Sequence, residues 1–169
     1  MPTSRQHKPR AGVELITPTT SGELAATRDI FQEYADGLGV DLCFQNFEAE
    51  LKALPGEYAP PRGALILAQV GREIAGCCAL RPLDAVDYPN AAELKRLYVR
   101  KAFRGFGLGR QLAETMLDAA RAAGYRCVLL DTLDDMEAAR QLYVELGFEE
   151  IAPYYHNPLP GNHYLKVEL

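Results

Sequence analysis

Apolar residues return along this chain in two rhythms, and the switches between them mark out its elements. Val13 to Ile16 is a short β run that Thr17-Pro18 stops. From Ser21, a candidate cap, Leu24, Arg28, Phe31 and Tyr34 recur at helical spacing up to Gly37 or Gly39. Leu42-Cys43-Phe44-Gln45 is short and apolar. Phe47, Leu51 and Leu54 give a second helix, ended by Pro55-Gly56, and Pro60-Pro61-Arg62-Gly63 is a loop. The rhythm then changes. Ala64 to Val70 is almost continuously apolar, Gly71-Arg72 turns tightly, and Glu73 to Leu83 places Ile74, Gly76, Cys78 and Leu80 on one side. That pattern predicts an antiparallel hairpin. Ala91 to Val99 is the next strand.

The second half alternates strand and helix. Leu108 to Ala123 sets Leu108, Leu112 and Met116 on one face and Arg110, Glu114, Asp118 and Arg121 outside, and Gly124 ends it. Tyr125 to Thr132 carries the buried run Cys127-Val128-Leu129-Leu130. A helix between two such strands predicts a right-handed parallel crossover. Met136 to Leu146 is the last helix, and Phe148 to Ala152 and His163 to Leu169 are the final strands. The order β-α-α-β-β-β-α-β-α-β-β predicts an α/β fold: a central mixed sheet with helices on both faces. Residues 1–10 are polar and basic and read as a mobile tail, leaving 11–169 as one domain.

Composition narrows the function. The chain has 169 residues, 48% of them hydrophobic, enough for one sizeable core. A net charge of −5 favours neither nucleic acid nor a membrane surface as partner. No run approaches a membrane span and no signal peptide opens the chain. Cys77 and Cys78 are adjacent in a strand and so point to opposite faces, which argues against a disulfide framework. No C-x-x-C pair or Cys/His cluster suggests a metal site. Free thiols in a core suit a reducing, cytoplasmic setting.

The chemistry concentrates in Arg104-x-x-Gly107-x-Gly109, between the strand ending at Val99 and the helix starting at Leu108. Glycines let backbone approach a ligand, and a helix start leaves amides and partial positive charge for a phosphate. No Walker A spacing is present, and position 110 is Arg where a dinucleotide fingerprint needs its third glycine. The pattern resembles the acetyl-coenzyme A loop of the GCN5-related N-acetyltransferases, as do its place between strand and helix and the segment Ala139-x-x-Leu142-Tyr143-x-x-x-Gly147-Phe148.

That resemblance, which covers about residues 13–169, implies acetyl-coenzyme A as cosubstrate. It implies a cofactor-binding loop of Arg104, Gly105, Phe106, Gly107, Leu108, Gly109 and Arg110, in which the amides from about Phe106 to Arg110 hold the pyrophosphate, and that backbone groups of Leu97, Tyr98 and Val99 pair with the pantetheine arm. It also implies a splay between the fourth and fifth strands, with the Leu97 or Tyr98 amide meeting the thioester oxygen. Tyr143 matches the family's general acid; it also fits a packing aromatic on an apolar helix face. Glu93 lies eleven residues before Arg104, where one branch of the family places its base; it also fits an exposed strand glutamate paired with Lys95, and Lys95 and Arg96 would lower its basicity. Met136 departs from the family, many of whose members carry a cofactor-contacting asparagine there. Phe44, Gln45, Glu48, Tyr154, Tyr155, His156 and Asn157 are the candidates for an acceptor site. The implied function is acetyl transfer to a primary amine of a small molecule or peptide. The alternative is a coenzyme A-binding sensor without turnover. Hydrolysis is disfavoured, since the only serines are Ser4 and Ser21, neither in a nucleophile elbow. A homodimer is compatible with the family, and no residue in the chain specifies one.

Overall fold

A computed structural model describes residues 12–39, 42 and 46–169. The expected tail and Cys43-Phe44-Gln45 lie outside the described residues. The element order is the expected one: β1 (Val13–Ile16), α1 (Ser21–Gly37), α2 (Phe47–Ala53), β2 (Ala64–Val70), β3 (Glu73–Leu83), β4 (Ala91–Val99), α3 (Leu108–Ala122), β5 (Cys127–Leu133), α4 (Glu137–Glu145), β6 (Glu149–Ile151) and β7 (Asn162–Glu168). The seven strands form one sheet in the order β1-β2-β3-β4-β5-β7-β6. Every neighbouring pair is antiparallel except β4 and β5. The sheet is therefore mixed, and α3 supplies the parallel crossover.

Each face of the sheet has its own core. On one, Leu112, Met116 and Ala120 of α3 pack against Cys78, Leu80, Val128 and Leu130, and Tyr143 and Phe148 join from the α4 side. On the other, Ile30 and Phe31 of α1 and Phe47 of α2 cover Leu65, Leu67, Cys77 and Ala79. Cys77 and Cys78 divide between the two cores, as strand alternation requires. The α1 cap lies one residue earlier than the sequence suggests. Thr20 accepts from the Glu23 amide at 3.1 Å, and the Glu23 carboxylate accepts from the Thr20 amide at 3.0 Å. This reciprocal box needs a hydroxyl three residues before a glutamate, which Thr20 meets and Ser21 does not.

Two bulges interrupt the β3 ladder. Gly76 pairs with Ala68 but Ile74 pairs with Gln69, so Ala75 is the extra residue. That shift sends Ile74 to the α1 face rather than to the side of Cys78 and Leu80 where simple alternation puts it. Further on, Cys77 pairs with Tyr98 and Ala79 with Lys95, so Cys78 faces two residues of β4, Arg96 and Leu97. Arg96 has φ of +61°, a left-handed conformation that costs an L-residue about 1–2 kcal/mol.

Candidate active site

The parallel pairing of β4 with β5 covers only Ala91–Cys127, Ala92–Val128 and Glu93–Leu129. Beyond Glu93 the strands part, while β5 stays paired to β7 as far as Leu133. Among the described residues, the β5 side of the rest of β4 is left without a strand partner. The split so made opens toward the start of α3 and α4 into a groove of about 600 Å³ and toward α2 into a hollow of about 570 Å³, with a narrow throat between them.

The groove runs from Leu97, Tyr98 and Val99 to the start of α3 and is closed opposite by Met136, Ala139 and Leu142. Gly107 is the α3 cap, with φ of +77° and no side-chain cap bond. A side chain at Gly107 would meet nothing within 4 Å, so the constraint there is backbone angle rather than space. The first helical bond runs from the Gln111 amide to the Gly107 carbonyl at 3.1 Å, so the helix leaves the amides of Leu108, Gly109 and Arg110 unused. Uncapped amides beside an apolar trough fit an anionic group on a long extended arm.

The two arginines of the motif differ. Arg104 donates from Nε to the Val99 carbonyl at 2.8 Å and lies over the Tyr98 ring, which fixes the loop against β4. Arg110 is engaged by Glu114 at 3.4 Å and by Glu145, so part of its charge is already matched. Gly105 lines the groove and Phe106 does not; the Phe106 side chain is 58% exposed. Met136 lines both groove and throat, and the Thr132 hydroxyl reaches its sulfur at 3.8 Å.

The throat holds Tyr143, which is buried, packs edge-on against Phe148 at 5.5 Å, and makes no hydrogen bond through its hydroxyl among the described residues. Burial pushes its phenol well above the ordinary value, so it stays a proton donor at neutral pH. Tyr34 of α1 also lines the throat, and burial raises it to about 12. The Arg96 bulge forms one wall. Its guanidinium is buried, pairs with both carboxylate oxygens of Glu50 in α2 at 3.0 Å, and stacks over Phe47. The Cys77 thiol donates to the Arg96 carbonyl at 3.1 Å. The Glu50 pairing, the Phe47 stack and the Cys77 bond thus help to hold a backbone shape that arginine alone would not choose.

Glu93 is buried rather than exposed, and its close partner is Arg81. Arg81 Nε donates to Oε1 at 2.7 Å, Tyr154 donates to Oε2 at 2.7 Å, and Lys95 stands 3.9 Å from Oε1. Arg81 also holds Glu57 at 2.8 Å. Arg96, which the sequence sets beside Glu93, is turned by the bulge to Glu50 instead. Tyr154, Tyr155 and Tyr164 pack ring to ring at 5.2 to 5.5 Å. Of the other acceptor candidates, Asn157 enters the site by donating to Asp131 at 3.2 Å. His156 is exposed, and Glu48 lines a separate hollow between α1 and α2. Phe44 and Gln45 lie outside the described residues.

Sequence reasoning missed Asp131, Arg81, Glu50 and Tyr34. Asp131 had a signal: it is the one charge in the apolar strand Cys127–Leu133. It lines the throat and accepts from the Tyr155 hydroxyl at 2.6 Å. Burial pushes its carboxyl above the ordinary range, against the pull of the Tyr155 and Asn157 bonds.

Residues 24–148 match the acetyltransferase (GNAT) family. A Schizosaccharomyces pombe protein described as an uncharacterised N-acetyltransferase is 39% identical over 141 residues, covering 83% of this chain and 85% of that one. Human N-acetylaspartate synthetase is 33% identical over 102 residues, 60% of this chain and 33% of that protein. Among solved structures, a putative acetyltransferase from Salmonella typhimurium with its cofactor acetyl-CoA superposes with a TM-score of 0.66 at 18% identity, over 93% of this chain and 94% of that one. A split parallel pair, an uncapped helix start at the end of the split, and a match over most of its length identify this chain as a member of the GNAT acetyltransferase family and as an N-acetyltransferase.

Proposed function

We propose that the chain moves the acetyl group of acetyl-coenzyme A to the primary amine of a small molecule or peptide by direct attack on the thioester. One observation carries the reading. The split between β4 and β5 joins a groove that ends at an uncapped helix start to a polar hollow, and Tyr143 lines the throat between them. The solved relative named with acetyl-CoA supports the choice of donor.

In this reading the amides of Leu108, Gly109 and Arg110 take the pyrophosphate, with Gly105, Phe106 and Gly107 supplying the turn and Arg104 pinning it. The unpaired edge of β4 at Leu97, Tyr98 and Val99 pairs with the pantetheine arm. Acetyl-coenzyme A, when bound, supplies the activated acyl group. The Leu97 or Tyr98 amide stabilises the charge that develops on the carbonyl oxygen. Tyr143 gives a proton to the departing sulfur. Glu93, the base candidate of the sequence, already has both oxygens bonded, Oε1 by Arg81 and Oε2 by Tyr154. Its role here is to hold Arg81, Lys95 and Tyr154 in place on the acceptor face.

No helix among the described residues is long and apolar enough to cross a membrane. The buried thiols of Cys77 and Cys78 suit a reducing cytoplasm. Calorimetric titration with acetyl-coenzyme A, followed by release of free thiol across a panel of amines, tests the reading. Micromolar one-to-one binding with turnover is expected. Binding with no thiol released by any amine would make the chain a sensor, and no binding would remove the donor assignment.

A further inference from the structure

Asp131 lies on β5 two residues past the last β4–β5 pair, Glu93 with Leu129, just where the strands have parted. Alternation puts it on the sheet face of Leu129, away from Val128 and Leu130, whose core takes in Tyr143. Asp131 and Tyr143 nevertheless line the same throat. The split thus carries a carboxylate from one face of the sheet and a phenol from the other.

The carboxylate is held at one end only. The Tyr155 hydroxyl donates to Oδ2 at 2.6 Å, and Asn157 Nδ2 donates to the same oxygen at 3.2 Å. Both donors come from the loop between β6 and β7, which is itself fixed. Asn157 Oδ1 accepts from the Leu159 amide at 2.9 Å, and Tyr164, the β7 register partner of Asp131, donates to the Tyr155 carbonyl at 2.9 Å. Asp131 Oδ1 has no hydrogen bond among the described residues. A carboxylate with one oxygen doubly held and the other open beside a cavity is suited to a charged N–H donor. Glu93 differs, because Arg81 takes one of its oxygens and Tyr154 the other.

Resting on the acetyltransferase reading above, we propose that Asp131 is the catalytic base, and that its Oδ1 receives the acceptor as an ammonium and takes a proton from it. The nitrogen lone pair so freed forms the bond to the acyl carbon as the carbon–sulfur bond breaks. Sulfur takes a proton from Tyr143, which recovers one from solvent. The second nitrogen proton leaves to solvent, as does the proton held by Asp131 when the product departs. Tyr155 and Asn157 are positioning residues, and this gives the Tyr154-Tyr155-x-Asn157 segment a part in the reaction. Burial raises the Asp131 carboxyl; the charge of Glu93 adds to the rise and that of Lys95 opposes it. The tyrosines around it, Tyr34, Tyr143, Tyr154, Tyr155 and Tyr164, are all raised by burial and stay protonated at neutral pH.

The test is the pH profile of kcat/KM, read by thiol release with ethanolamine, glycinamide, benzylamine and lysine, the fastest being carried forward. An amine that must shed its proton to water before it reacts gives a rate that climbs about tenfold per pH unit up to the amine's own pKa. An ammonium deprotonated in place gives a rate that rises only until Asp131 is ionised and then levels. Levelling is expected in the native chain. Asp131→Asn should lose about 100-fold near pH 7, with the loss shrinking as pH nears the amine's pKa and acetyl-coenzyme A affinity unchanged. Glu93→Gln should keep the level region and move its onset to lower pH, since it removes a charge that raises Asp131. A native rate that climbs without levelling would overturn the proposal with no variant needed. So would a loss in Asp131→Asn that is the same at every pH, or a level region abolished by Glu93→Gln instead. All three leave acetyl transfer intact. No thiol released with any amine, or no binding of acetyl-coenzyme A, would instead remove the reading beneath and the base with it.

Discussion

The two sides of the β4–β5 split are built from different materials. The cofactor groove is made of backbone: uncapped amides at the start of α3, a left-handed glycine, and a strand edge with no neighbouring strand among the described residues. The acceptor face is made of side chains brought from far apart in the chain. Glu50 comes from α2, Arg81 from β3, Glu93 and Lys95 from β4, Asp131 from β5, and Tyr154 from the loop between β6 and β7. Backbone features depend on a few neighbouring residues and tolerate change elsewhere. A side-chain network depends on every element that contributes, and its members cost several kcal/mol each when a partner is removed.

That contrast predicts its largest effect on stability at the acceptor face. Glu50→Ala removes the bidentate partner of a guanidinium only 3% exposed and should cost about 3 kcal/mol, read as a shift in the urea midpoint. A loss below about 1 kcal/mol, as for an exposed pair, would mean the face is not held by its charges. The groove should respond in the opposite way. Gly107→Glu keeps the fold, losing about 1–2 kcal/mol for its left-handed angle, because a side chain there meets open space. It should nevertheless weaken acetyl-coenzyme A by at least about 100-fold, near 2.7 kcal/mol, by setting a carboxylate where a pyrophosphate belongs. Unchanged affinity would separate the groove from the cofactor.

Tyr143 stands between the two sides and sharpens the contrast. Tyr143→Phe keeps the ring that packs on Phe148 and removes only the hydroxyl. The expected outcome is a fall in kcat of about 100-fold, at the lower end for a general acid, with acetyl-coenzyme A affinity unchanged. Wild-type turnover would make the tyrosine a packing residue.

The same contrast explains what the chain disclosed before its structure. The boundaries of β2, β3 and β4 follow from apolar runs between turn residues, and Arg104-x-x-Gly107-x-Gly109 sits where a strand meets a helix. These are local patterns, and so is a backbone-built groove. The Arg96 bulge carries no local mark, because arginine has no preference for the angle it adopts; a half-buried glutamate 46 residues earlier and a thiol on the next strand help to hold it. Glu93 could be read as a base or as an exposed glutamate paired with Lys95, because its main partner lies on β3 across the ladder and not near it in sequence. Asp131 was visible as a lone acid in an apolar strand, yet only the splay shows that it faces a cavity rather than a helix.

The smallest effect lies where the two sides meet behind the groove. His163 of β7 contacts Asp134, just before the Asp135-Met136 wall of the groove, and Glu150 of β6 at 2.9 Å. The bond to Asp134, then that to Glu150, raises the His163 pKa above its usual value near 6.5. A group whose folded pKa is raised stabilises the fold fully below the unfolded pKa and loses that contribution as pH climbs through the folded value. His163→Gln should therefore lower Tm more at pH 6 than at pH 9, by a few degrees at most for so exposed a pair. Acetyl-coenzyme A affinity measured across the same range gives the sharper reading. If the histidine bond helps to set the Asp135-Met136 wall, affinity falls with rising pH in the native chain and stays flat in His163→Gln. If affinity is flat in both, the groove owes nothing to side chains behind it and stands on backbone alone.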